Sequence, residues 1–250
     1  MFEALGISPA QLAFLLAGAL AGGIVNGMTG FGTGLSALPF WLQAFPSATS
    51  AQLAAAAGIA GQLKTLPNIW HAIELRRLAP MLIAGLIGVP FGAKLVPYID
   101  PVSFKRGVAF IIIAYASIML VAGHRIRVDR GGQGAEAIVG MIGGVMAGLA
   151  GLSGVAPTVW AALKGWSKEQ RRAVFQAYNL TILLAMFSAH VLFGLVSRSM
   201  LVALVLALPA TFLGVSIGHR IYARLDDRRF DRVVLLLLLA AGLVMLSASR

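Results

Sequence analysis

GGIVNGMTGFGTG, residues 22–34, sets six glycines among thirteen residues, with apolar sequence on both sides. Glycine lets a backbone leave helical geometry and lets other helices approach closely. The rest of the chain says in which solvent this happens. Of 250 residues, 59% are hydrophobic and 12% charged, where a soluble domain has about 25% charged. A water-soluble globule of this size cannot hide so much apolar side chain. The chain therefore reads as an integral membrane protein with a glycine break at its first hydrophobic segment. In hydrocarbon an unpartnered backbone amide costs several kcal/mol, so broken helix is tolerated only inside protein or along a wet cavity.

A membrane helix needs about 20 mostly apolar residues. Hydropathy places segments at 9–28, 33–45, 50–70, 78–97, 104–122, 136–150, 155–163, 173–194, 199–219 and 233–248. The pieces 33–45 and 155–163 are too short to cross alone, and each follows a glycine cluster. The expectation is an all-α polytopic protein of about 8–10 membrane segments. The loops between them are short and charged: HAIELRR (71–77), HRIRVDR (124–130), KGWSKEQRR (164–172) and RLDDRRFDR (224–232). The net charge of +11 sits almost wholly there. It reads as topology and contact with anionic lipid headgroups, with no nucleic-acid partner. There is no cysteine, which removes disulfides and thiolate metal sites. The first residues, MFEALGISPAQ, lack the basic start of a cleaved signal.

The chain repeats itself. Gly22, Gly23, Gly27 and Gly30 fall on Gly143, Gly144, Gly148 and Gly151 of GGVMAGLAGLSGV (143–155), at an offset of 121. Gly88, Gly92, Phe104 and Arg106 fall on Gly214, Gly218, Phe230 and Arg232, at an offset of 126. Two homologous halves follow, 1–122 and 136–250, joined by a linker over 123–135. If each break turns the chain back, 9–45 and 136–163 are re-entrant hairpins. The charged loops then share one face, which holds 14 of the 20 Lys and Arg against 5 opposite. The positive-inside rule favours that arrangement over continuous crossings. It inverts the halves and puts both termini outside the cytoplasm.

The doubled signature, GxxNGxxGFGxG in the first half and GxxAGLxGLSG in the second, resembles that of the sulfite exporter TauE/SafE family. The later GxxxG…FxR elements are similar too, and the resemblance covers nearly the whole chain. It implies a multi-pass permease of a bacterial or archaeal plasma membrane that moves small anions such as sulfite, sulfonates or related carboxylates. It implies no enzyme activity and no cofactor, and leaves a homodimer open. One departure stands out: Ala147 occupies the place of Asn26.

No Asp or Glu lies well inside a segment; Glu136 is nearest. That speaks against cation binding by carboxylates and against the usual proton relay. An anion site needs helix N-terminal amides, hydroxyls, amides and perhaps one cation. The candidates are Asn26, Thr29, Gly30, Gly32 and Thr33 at the first break, and Gly151, Ser153 and Gly154 at the second. Gln176 and Asn179, three apart on one helix face, and Lys64, the sole basic residue within a span, complete the set. Ser36 and Thr158 lie close by. Hydroxyls in membrane helices also bond their own backbone, and a lysine near a segment end also snorkels. Trp41, Trp70, Trp160, Trp166 and Tyr98 fit interfacial belts.

Two other mechanisms use the same residues. Glycine breaks also line an anion channel. Gly151-Leu152-Ser153-Gly154 matches the GxSG of rhomboid intramembrane proteases, with His190 or His219 as the base. Against the protease, Ser153 sits in a duplicated glycine cluster, where its counterpart is Gly32.

Overall fold

The computed structural model describes residues 7–95, 98, 100–122, 128, 131–150, 153–192, 194 and 196–247. The described chain holds ten α-helices and no strand. They are α1 (Pro9–Thr29), α2 (Thr33–Trp41), α3 (Ser47–Thr65), α4 (Leu75–Leu95), α5 (Pro101–Ala122), α6 (Gln133–Ala150), α7 (Val155–Leu163), α8 (Lys168–Leu192), α9 (Arg198–Arg224) and α10 (Asp227–Ser247). Every hydropathic segment has its helix. Among the described residues, four stretches are long and apolar enough to cross a membrane: Pro9–Thr29, Leu75–Gly92, Glu169–Leu192 and Arg198–Arg224.

Helix boundaries follow local chemistry. Ser8 caps α1 through a capping box in which its hydroxyl accepts from the Gln11 amide and the Gln11 side chain accepts from the Ser8 amide. Pro9 starts the helix, where its missing N–H costs nothing. α3 stops at Thr65, two residues before Pro67, instead of running to 70. α8 begins at Lys168, five residues ahead of the hydropathic segment, because a polar first turn lowers hydropathy without opposing a helix. That start carries Arg171 and Arg172, placed by sequence in a loop, into buried positions. Likewise 224–232 is helical but for Leu225 and Asp226, although Arg229 and Asp226 stay exposed and pair with each other.

The helices form two compact units. The first takes Met1–His71 and Asn179–Arg224, the second Ala72–Tyr178 and Leu225–Arg250. Each unit therefore draws elements from both sequence halves, and α8 is divided between them.

In the first unit, α1 packs on α2, α3 and α9. The core includes Leu15, Ala19, Ala37, Trp41, Leu53, Ala57, Met200 and Ala207. Trp41 departs from the belt expectation: its ring is fully buried beneath Gly18, and its indole N–H donates to the Leu15 carbonyl at 3.0 Å. An indole needs both an apolar bed and an acceptor when buried. Trp70 and Tyr98, by contrast, are 70% and 85% exposed.

In the second unit, α4 lies along α6, and α5 along α10. Arg171 pairs with Asp231 and lies over the Phe230 ring at 5.7 Å, so its buried charge is compensated. Glu74 bonds Arg77 and accepts from Gln170, and the Arg77 guanidinium stacks on Trp166 at 5.2 Å.

Glycines make the two long pairings close. A β-carbon on Gly214 would meet the Leu20 carbonyl and Ile24 amide of α1; one on Gly88 would meet the Met141 carbonyl and Val145 amide of α6. Gly218 and Gly92 face the carbonyls of Ile24 and Val145 in the same way. Leu20 and Ile24 fall on Met141 and Val145 by the first repeat offset, and Gly88 and Gly92 on Gly214 and Gly218 by the second. Contact positions rise together along α1 and α9, and along α4 and α6, so both pairs run parallel.

Candidate functional site

The first glycine cluster breaks the helix where the sequence places the break. Gly30 closes α1 at φ 80°, its N–H donating to the Asn26 carbonyl at 2.7 Å. Gly32 precedes α2 at φ 83°. Both lie in left-handed geometry that side chains oppose, and only glycine holds it cheaply. The chain then folds back along α1. Gly22 meets Thr33 and Ala37, Gly18 meets Ala37 and Trp41, and the Gln11 amide reaches the Ala44 carbonyl at 3.0 Å. As one number rises the other falls, so α2 is an antiparallel arm.

Gly32 supplies no side-chain cap, so the first amides of α2 have no partner from it. Beside them is Asn26, fully buried three residues before the end of α1. Its Nδ2 donates to Thr33 Oγ1 at 2.7 Å and to the Gly58 carbonyl at 3.1 Å. Its Oδ1 is buried and has no hydrogen-bond partner among the described residues. Gly58 and Gly61 give α3 room to lie against Thr33 and the Asn26 amide.

The other hydroxyls here behave as ordinary helix residues. Thr29 Oγ1 lies 2.9 Å from the Val25 and Phe31 carbonyls and accepts from the Phe31 amide. Ser36 donates to the Gly32 carbonyl at 2.8 Å. Lys64 sits away from this group on the α3–α9 seam, donating to the Phe212 carbonyl at 3.0 Å and Ser216 Oγ at 2.7 Å. Its ammonium also lies 5.3 Å from the Phe212 ring centroid. Asn179 is buried on the part of α8 that belongs to this unit. His219 stacks on Tyr222 at 6.3 Å between centroids.

The second cluster is partly described. Ser153 and Gly154 form a turn ahead of α7, and Gly151 lies outside the described residues. Gly143 of α6 approaches the Ser153 carbonyl and Pro157, so α7 also returns along its predecessor. Thr158 donates to the Gly154 carbonyl at 2.6 Å. Gln176 is fully buried on α8 in this unit. Two residues on, the Tyr178 hydroxyl donates to the Gly140 carbonyl at 2.7 Å and fills the space above Gly85 and Gly143. One group that sequence reading missed is the Gly58 carbonyl, 32 residues from Asn26 and carried by a residue with no chemistry of its own to notice.

Of the expected site residues, the structure thus brings Asn26, Gly30, Gly32 and Thr33 into one group in the first unit, with Thr29 satisfied locally and Lys64 elsewhere. The family model described as Sulfite exporter TauE/SafE matches residues 14–245. No curated protein and no solved structure matches the chain significantly.

Proposed function

The chain belongs to the sulfite exporter TauE/SafE family, and from that premise we propose that it carries a small oxyanion across the membrane by alternating access, holding it at the buried start of α2. Membership makes the protein a membrane transporter of a transporter family, and neither the channel nor the serine-protease reading draws support from it. The substrate class is a small anion such as sulfite, a sulfonate or a carboxylate.

The observation that carries the proposal is the broken, uncapped start of α2 beside Asn26 and Thr33. A helix N-terminus presents amide hydrogens and about half a positive charge. Inside protein it attracts an anion without a formal charge that would hold the substrate too firmly to release. Ser153 and Gly154 ahead of α7 are its counterpart by the repeat, and Gln176, Asn179 and the less favoured Lys64 are further candidates for the path.

The inverted-repeat topology is supported by two linked observations. The arms return along α1 and α6, and with the chain so turned the loop charge divides 14 to 5. Transport follows as a rocking of one repeat on the other in a bacterial or archaeal plasma membrane, with the termini outside. Outward movement of an anion is downhill by about 2.3 kcal/mol per charge per 100 mV, so export needs no coupling ion.

The test is a thermal-shift panel of sulfite, sulfonates and small carboxylates on purified protein, repeated on Asn26→Ala, followed by efflux from proteoliposomes at an imposed potential. A ligand that stabilises the parent but not the variant, with efflux that rises as the interior becomes more negative, is expected. A panel without any stabilising anion would end the proposal.

A further inference from the structure

We propose that the first arm selects anions that carry a hydrogen-bond donor of their own, and that Asn26 Oδ1 is the group that reads it. This rests on the anion-transport reading above and narrows its substrate class. The orientation of the Asn26 amide is set by chemistry. Gly58 offers a carbonyl, which can only accept, so the atom 3.1 Å from it must be the nitrogen. Flipping the amide would set two acceptors against each other. Both amide hydrogens are therefore spent inside the protein, on Gly58 and on Thr33 Oγ1. What Asn26 has left is an acceptor, fully buried and unpartnered among the described residues.

An acceptor is the wrong equipment for a bare oxyanion, since two lone-pair surfaces repel. It is the right equipment for the donor end of a mixed ligand. Thr33, accepting from Asn26, keeps its own hydroxyl hydrogen to give away. With the uncapped amides of α2, the arm presents donors for the anionic group and one acceptor beside them. The ligand that satisfies all of these is a monoanion retaining an O–H or N–H: a hydrogen-bearing inorganic oxyanion, or a hydroxy- or amino-substituted sulfonate or carboxylate. A site that buries an acceptor discriminates strongly against the analogue lacking the donor, because the acceptor is then left unsatisfied.

The experiment uses matched pairs differing by one hydroxyl: ethanesulfonate with 2-hydroxyethanesulfonate, and acetate with glycolate. Each is titrated onto the purified full-length protein and read by thermal shift and calorimetry. The hydroxylated member of at least one pair is expected to bind tenfold or more tightly. Thr33→Val, which removes a hydroxyl but leaves Oδ1, should weaken both members while the preference survives. Asn26→Leu should erase the advantage of the hydroxylated member, leaving both at or below the affinity of the weaker one. Equal affinity of the pairs for the parent protein overturns the inference while leaving anion transport intact; it is also what a site whose Oδ1 holds only a structural water would give. If Asn26→Leu does not fold, the parent's ratio and the Thr33→Val series decide. Failure of every anion to bind overturns this inference and the transport reading together.

Discussion

The two arms carry glycines at matching places in the chain, and what else they contain differs. Along the repeat, Asn26 stands against Ala147, Gly32 against Ser153 and Thr33 against Gly154. The glycines are held in common, and one contact corresponds closely: Gly23 meets the Thr211 carbonyl and Gly144 the matching Gly85 carbonyl. The buried amide is not: Ala147 is fully buried and has nothing to bond with. The second arm has instead the phenol of Tyr178, tied to Gly140. Close glycine contacts occur in both units, whereas a buried amide at the break is present in the first arm only.

The comparison can be broken at its shared part first. A β-carbon on Gly23 would lie against the Thr211 carbonyl and 3.1 Å from Gly214 Cα, and one on Gly144 against the Gly85 carbonyl and 2.8 Å from Gly85 Cα. Gly23→Leu and Gly144→Leu should each cost about 3 kcal/mol or more, since two backbones must part. Fluorescence-detected size exclusion should show loss of the monodisperse peak for both. Tolerance at one site alone would mean that the arms do not share their packing.

Asn26→Ala comes next. It leaves the Gly58 carbonyl and Thr33 without their donor, at a cost of about 1–3 kcal/mol. It should also abolish any anion-induced shift in the melting temperature, an effect with no equivalent at Ala147. Unchanged ligand response would remove the functional half of the contrast. Tyr178→Phe should cost about 1 kcal/mol, seen as a modestly lower melting temperature with transport retained. A transport defect at full stability would give the second arm a substrate role that the first lacks. Smallest of all is Lys64→Met, worth about 0.5 kcal/mol because the ammonium's bonds lie on an exposed seam. Anion affinity should barely move; its disappearance would shift capture from helix amides to a formal charge.

Much of this architecture was legible from residue order. The short pieces 33–45 and 155–163 correspond to α2 and α7 because their length and the preceding glycines are local properties. The break itself is local too, since Gly30 and Gly32 adopt their angles for reasons internal to the backbone. Trp41 was misread as interfacial because position along a segment cannot reveal a neighbour like Gly18 that clears space for an indole. Arg171 and Arg172 were placed in a loop because charge lowers hydropathy, yet Asp231, 60 residues on, lets Arg171 enter the helix and be buried. Asn26 was picked out for its amide donors, yet the end left unpartnered among the described residues is the acceptor. Its orientation depends on a carbonyl in α3, and only tertiary structure supplies that.

The parallel seam between α1 and α9 brings Gly23 beside Gly214. At roughly 5–20 residues per second, the ribosome needs about 10–40 s to deliver the second after the first. Throughout that interval the nascent amino-terminal helix waits among lipid with its notched side unoccupied. Expressed alone, the stretch through residue 122 would never receive the mate for that notch, so co-expressed fragments, rather than either alone, are the form in which a severed chain could mature.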